Sequence, residues 1–116
     1  SLSGKDPLAH ILWIKDCRPE IYDKTFMFLE PHDYVNLKFT GKFAASYASI
    51  HMHFITDILD INDIKYYKKI MKMVKVDPNK FPTDLRWSTD VLGPIKDEIA
   101  NELGLNKGVK MIMGAP

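Results

Sequence analysis

Thiols are nearly absent: Cys17 is the one cysteine in 116 residues. That excludes an internal disulfide framework and agrees with a reducing compartment. An excess of charge is missing as well. Lys and Arg number 16 against 15 Asp and Glu, a formal net charge of +1, so no global field draws the chain to nucleic acid or to an acidic membrane. No apolar run approaches the roughly 20 residues that a membrane-spanning helix needs, and no basic start followed by an apolar core marks a signal peptide. The glycines at positions 4, 41, 93, 104, 108 and 114 are scattered and never form a phosphate-cradling loop. No serine and base, or cysteine and histidine, stand in a context that supports nucleophilic catalysis. These absences read as a soluble, cytoplasmic protein.

With 46% hydrophobic residues, the chain suffices for one modest core of single-domain size. It begins at Ser1 without methionine and stops at Pro116, just after the apolar run 109–113. A complete domain more often ends in a polar tail or a capped helix, so the expectation is a piece of something larger. Residues 29–45 organise the reading. Pro31 suits a first helical position and Gly41 the left-handed residue past a helix end. Between them Tyr34, Val35, Leu37 and Phe39 predict an apolar, buried connector.

Asp6-Pro7 predicts the start of a first helix over 7–16, and Pro19 restarts a short one over 19–24. The β-branched and aromatic run 25–29 predicts a strand buried on both faces. Residues 44–54 read as extended or irregular. Ile64, Tyr67, Met71 and Val74 form a stripe that predicts a helix over 63–75, with Lys65, Lys68, Lys69, Lys72 and Lys75 on its other side. A strand over 88–92 closed by Gly93, a helix opened by Pro94 with the stripe Ile95, Ile99 and Leu103, and a last strand over 109–113 suggest a crossover unit with parallel pairing. No linker suggests a second domain.

His51 and His53, two apart, would share one face of an extended chain. Zinc needs further ligands, however, and Cys17, His10, His32 and scattered carboxylates stand at no recognisable spacing. Partly buried histidines with hydrogen-bond partners are the preferred reading, and no metal site is assigned. The lysine-rich side of 63–75 could grip phosphates, a nucleic acid or a membrane surface. Asp60, Asp63 and Asp77 nearby favour a solvated helix face. Trp13 and Trp87 read as core residues rather than stacking platforms.

The order of these pieces resembles the FGGY carbohydrate kinases, the family containing xylulokinase, glycerol kinase and gluconate kinase. The run from Ser3-Gly4-Lys5-Asp6-Pro7 to Trp13-Ile14 looks like the family's loop-helix segment. Pro19-Glu20-Ile21-Tyr22 looks like its "PEIY" continuation, and Leu29-Glu30-Pro31-His32-Asp33-Tyr34 like its "L-x-P-K-D-Y". Lys38-Phe39-Thr40-Gly41 through Ala44 is similar to the "L-T-G-x-x-A" that follows, and Val91-Leu92-Gly93, Gly104-Leu105 and Gly108-Val109 to its late pattern. His10 and His32 replace lysines usual in the family, and Ser46-Tyr47-Ala48-Ser49 stands where Asp-x-Ser is common.

The resemblance implies an α/β fold, mostly helical with a few short strands, forming part of an actin-like, ribonuclease-H-like ATPase domain. It implies that residues 1–116 are a partial sugar-binding domain truncated at both ends. The parent would be an ATP-dependent, Mg²⁺-using kinase of a sugar or polyol, a xylulose-type ketose first among them. In the family an aspartate takes the proton from the sugar hydroxyl, and here it would be the residue just after Pro116. By itself the chain is expected to be inactive, with no cofactor of its own. Lys5 and Asp6 are the implied sugar-side contacts. The expected partner is a small sugar, not a nucleic acid or membrane, with self-association through exposed edges. The rival reading is a stand-alone interaction module whose lysine face binds nucleic acid or another anionic partner.

Overall fold

Proline placement sets most of the helix starts. Pro7, Pro19, Pro31 and Pro78 each stand at a first helical position, where the missing N–H has no intrahelical partner and φ is already helical. The computed structural model describes residues 4–115. The chain divides into two compact units, one from Ser1–Phe28 and Ile50–Phe81, the other from Leu29–Ser49 and Pro82–Pro116. Each unit is therefore assembled from two separated stretches of chain.

In the first unit, α1 (Pro7–Cys17) and α2 (Pro19–Lys24) follow one another across Arg18, whose N–H closes α1 onto the Ile14 carbonyl at 2.8 Å. Two short strands, β2 (Thr56–Asp57) and β3 (Lys65–Tyr66), pair antiparallel, and α5 (Lys68–Met73) and a 3₁₀ turn (Pro78–Lys80) complete the unit. Its core is Ile11, Tyr22, Ile50, Ile55, Met71, Val76 and Phe81. The Phe81 ring lies 6.0 Å from Phe28, 5.9 Å from His53 and 6.1 Å from Tyr66.

The run 25–29 forms no strand, contrary to its composition. Within the unit its ladder-like contact is the Phe28 N–H on the Lys80 carbonyl at 2.8 Å, and Phe26 is exposed. A β-rich composition needs a neighbouring strand to pair with, and here the neighbour is a 3₁₀ turn. Lys80 Nζ reaches the Thr25 carbonyl at 2.6 Å in place of a ladder. The expected helix over 63–75 is also shorter. Lys65–Tyr66 pairs with Thr56–Asp57, so the helix waits until Lys68, and of the predicted stripe only Met71 is fully buried.

The second unit opens with α3 (Pro31–Thr40), ended by Gly41 at φ +77 with its N–H on the Leu37 carbonyl at 2.7 Å. Both ends match the sequence expectation. The buried face does not: Tyr34 and Val35 are exposed, while Asp33 and Asn36 are buried. β1 (Ala44–Ser46) and the start of α4 (Tyr47–His51), whose last two residues belong to the first unit, follow where only an extended or irregular segment was expected. β4 (Asp84–Arg86) pairs parallel with β1, Ala44 opposite Asp84 and Ser46 opposite Arg86. Arg86 grips Asp84 through two bonds of 2.8 Å and donates to the Val91 carbonyl at 3.0 Å.

β5 (Val91–Pro94) and β6 (Lys110–Ile112) flank α6 (Asp97–Glu102) in sequence. They pair antiparallel, so the expected parallel crossover is wrong. A helix of six residues is too short to carry the chain back along the sheet to a parallel start. Gly93 lies within β5 at a register shift instead of closing it, and Pro94 ends the strand instead of opening the helix. Ala44, Leu92 and Met113 form the core under these strands.

Candidate functional site

The loop implied as the sugar side lies at the start of α1. Ser3 is outside the described residues, and Lys5 is exposed. Asp6 holds the extended N-cap backbone, φ −74 and ψ 142, without a side-chain cap bond to the helix. A pocket of about 230 Å³ lies beside it, lined by Asp6, Leu8, Ala9, Leu12 and Phe54. The structure thus brings Asp6, but not Lys5, to this pocket.

Phe54 is the residue that sequence reading missed there. Its φ of +54 is a left-handed value for a bulky side chain, an outlier that persists only where the surroundings over-determine it. It nevertheless leaves the ring half exposed at the pocket. One carboxylate against apolar walls and an aromatic face is chemistry suited to a polyol, with the carboxylate accepting from hydroxyls and the ring covering C–H groups.

The second unit carries a buried polar cluster. Asp33, Ser46 and Ser49 have 1%, 0% and 0% of their surface exposed. Ser49 Oγ donates to Asp33 Oδ2 at 2.5 Å, with the Ser46 carbonyl at 2.9 Å as an alternative acceptor. His32 Nε2 lies 3.0 Å from Asp33 Oδ1, and the Ser46 N–H approaches the same oxygen at 3.4 Å. Burial raises the Asp33 carboxyl above the usual carboxylate range, outweighing the Ser49 hydroxyl, His32 and the Ser46 N–H, which pull it down. Serines, a histidine and an aspartate match hydrolytic sets in composition alone. With both hydroxyls sealed from solvent and Ser49 bound directly to the carboxylate, the cluster is a strut joining α3 to β1 and α4.

One turn along α3, Asn36 Nδ2 donates to the Met113 carbonyl at 2.7 Å. The Met113 N–H donates to the Asp90 carbonyl and the Gly114 N–H to the Ser88 carbonyl, each at 2.9 Å. The chain leaving β6 is therefore held by α3 and by the turn before β5. Pro116 lies outside the described residues.

His51 and His53 do not share an extended face. His51 ends α4 with its ring 6.2 Å from Phe54, while His53 is buried beside Phe81. Among the described residues no three His, Cys, Asp or Glu side chains gather to hold a metal ion, and no helix is long and apolar enough to cross a membrane. Trp13 and Trp87 are exposed rather than core residues, Trp87 meeting Tyr47 edge-on at 4.8 Å.

Known proteins share this arrangement. The model of the FGGY family of carbohydrate kinases, N-terminal domain, matches residues 2–116. The chain is 30% identical over 107 residues to the xylulose kinase of Lactococcus lactis subsp. lactis (strain IL1403), covering 92% of this chain and 21% of that protein. The xylulose kinase of Bacillus subtilis (strain 168) is 29% identical over the same length and shares. Among solved structures, gluconate kinase from Lactobacillus acidophilus superposes with a TM-score of 0.84 at 22% identity, over 95% of this chain and 22% of that one. Ligand-bound xylulose kinase from the same organism gives 0.82 at 23%, with the same coverage. The chain thus spans about a fifth of the relatives it matches, and its mixed helix and strand arrangement is that of the sugar-kinase N-terminal domain, with its actin-like ATPase fold. It belongs to the FGGY family of carbohydrate kinases.

Proposed function

We propose that the chain is part of the sugar-binding domain of an ATP-dependent kinase acting on a xylulose-type ketose in the cytoplasm, with the Asp6 pocket on its sugar side. Lys5 and Asp6 are the contacts assigned there. Asp6 accepts from substrate hydroxyls, Lys5 supplies a donor from the adjoining loop, and Phe54 covers the apolar face of the sugar. The observation that carries the reading is the family match over residues 2–116, with xylulose kinases among the relatives.

The second unit supports it by the way the chain beyond β6 is held. Asn36, Asp90 and Ser88 fix Met113 and Gly114 through three hydrogen bonds, so a carboxylate following Pro116 would start from an anchored backbone. In the whole kinase such a base would take the proton from the substrate hydroxyl as that oxygen bonds to the γ-phosphorus of ATP and the bond to the bridging oxygen breaks, releasing ADP. ATP and Mg²⁺ belong to the whole kinase, and no residue of this chain is assigned to either. Alone, this chain is proposed to be inactive.

The test is a coupled assay of ATP consumption by the gene product translated through its whole reading frame. Turnover with xylulose or a related ketose is expected, with Asp6→Ala raising KM by about tenfold or more, the scale of one lost charge-assisted hydrogen bond, and Phe54→Ala raising it through the lost apolar cover. Absence of ATP consumption with every ketose, polyol and sugar acid would overturn the assignment.

A further inference from the structure

A second cavity in the first unit, about 480 Å³, is lined by Tyr22, Lys68, Lys72, Lys75, Val76, Asp77 and Pro78. Three lysines face one carboxylate there. Asp77 Oδ1 already accepts the Asn79 N–H at 2.9 Å. None of Lys68, Lys72 and Lys75 has an ion-pair partner among the described residues. Lys68 and Lys72 stand four apart on α5 and so on one face.

Lys75 reaches the groove at a conformational cost. Its φ is +56, and it occupies the left-handed position after α5, with the Lys75 N–H on the Lys72 carbonyl at 3.2 Å and the Val76 N–H on the Met71 carbonyl at 3.1 Å. Glycine or asparagine is usual at that position of a helix end. These two bonds already satisfy the terminal carbonyls, so the ammonium is not needed to neutralise them. Below the lysines, the buried Tyr22 hydroxyl accepts the Asp77 N–H at 2.9 Å, which leaves its own proton available to donate. Lys80 Nζ, 5.1 Å from the Tyr22 ring centroid, favours that donation.

We propose that this groove binds a small phosphate ester. Lys68, Lys72 and Lys75 hold the phosphate charge, Tyr22 donates a hydrogen bond, and Val76 with Pro78 covers the ester's carbon part. The site is independent of the Asp6 pocket and of the kinase reading.

The test is ¹H–¹⁵N titration of the 116-residue chain with glucose 6-phosphate, inorganic phosphate and a short oligodeoxythymidylate. Shifts confined to residues 68–78 and Tyr22 are expected, with the ester binding tighter than inorganic phosphate. Lys72→Gln and Lys75→Gln together should weaken ester binding about tenfold or more, and Lys69→Gln, on the same helix but outside the groove, should not. Lys75→Gly separates binding from folding, because it relieves the left-handed backbone: the thermal midpoint should hold or rise while affinity falls. Equal affinity for inorganic phosphate would overturn the ester assignment. Tighter, salt-sensitive binding of the oligonucleotide would replace it with a nucleic-acid surface. Unchanged affinity in the lysine variants would remove the site.

Discussion

Removal of the Asp33 carboxylate should cost the second unit stability, and the pH dependence of that cost should reveal how the side chain is charged. Asp33→Ala takes the acceptor from Ser49 Oγ at 2.5 Å and from His32 Nε2 at 3.0 Å. Ser49 keeps the Ser46 carbonyl at 2.9 Å as a substitute acceptor, and the Ser46 N–H contact at 3.4 Å is long enough to contribute little. Each buried polar group left unsatisfied costs about 1–3 kcal/mol, while the relieved desolvation of the carboxylate offsets part of it. Of these three groups His32 alone loses its close acceptor, for a net loss of about 1–2 kcal/mol. Asp33→Asn keeps the volume and an acceptor for Ser49, and should cost about 1 kcal/mol.

The sign of the pH effect follows from the raised carboxyl. In the native chain Asp33 keeps its proton to a higher pH than an aspartate of the unfolded chain, which titrates near about 3.9. Between those two values the native state binds more protons. Stability contributed by Asp33 therefore falls as pH rises through that window, and the loss is complete above the native value. Asp33→Asn lacks this component, so the wild-type profile minus the Asn profile should slope downward with pH. Urea unfolding followed by Trp87 fluorescence, in a Trp13→Phe background, reports on the unit that holds the cluster. An upward-sloping difference, or an Asp33→Ala variant as stable as wild type, would refute the reasoning.

Asn36→Ala should destabilise by about 1–3 kcal/mol by leaving the buried Met113 carbonyl without its donor at 2.7 Å, and hydrogen exchange should quicken at the Met113 and Gly114 amides. Gly41→Ala should cost about 1 kcal/mol, lowering the thermal midpoint by several degrees, because φ is +77 and a Cβ would meet Lys96 Cε at 3.3 Å. Light scattering should show a mass that rises with concentration, since β1–β4 and β5–β6 are two-stranded sheets whose outer edges lack strand partners among the described residues. A strictly monomeric mass at all concentrations would dismiss self-association through those edges.

What was legible in the sequence was punctuation. Pro7, Pro19 and Pro31 opened helices and Gly41 closed one as expected, since these residues act through their own φ and need no partner. The strands were harder to read because, among the described residues, none exceeds four residues, and strand identity at that length is decided by pairing. Ala44-Ala45-Ser46 looks like nothing in particular, yet pairs with Asp84–Arg86. Residues 25–29 look like a strand and form none among the described residues. The candidate site divides in the same way. Asp6 was marked by its N-cap position and by the family resemblance, whereas Phe54 joins it through a backbone conformation that no periodicity announces.

α3 departs furthest from its sequence pattern. An apolar helix was expected to be held by its apolar residues, but Tyr34 and Val35 face outward while Asp33 and Asn36, three apart and so on one face, are buried. Each makes a bond that tolerates no slide: Asp33 to Ser49 on one side, Asn36 to the Met113 carbonyl on the other. Apolar contacts are non-directional and would hold the helix over a range of positions, whereas satisfied buried polar bonds select one. The helix therefore sets register more than it supplies hydrophobic stability. A shift of one residue along α3 would break both bonds and leave the backbone beyond β6 held by the Asp90 and Ser88 carbonyls alone. His32 and Ser49, one on each oxygen of the same carboxylate, are both in direct contact with that device.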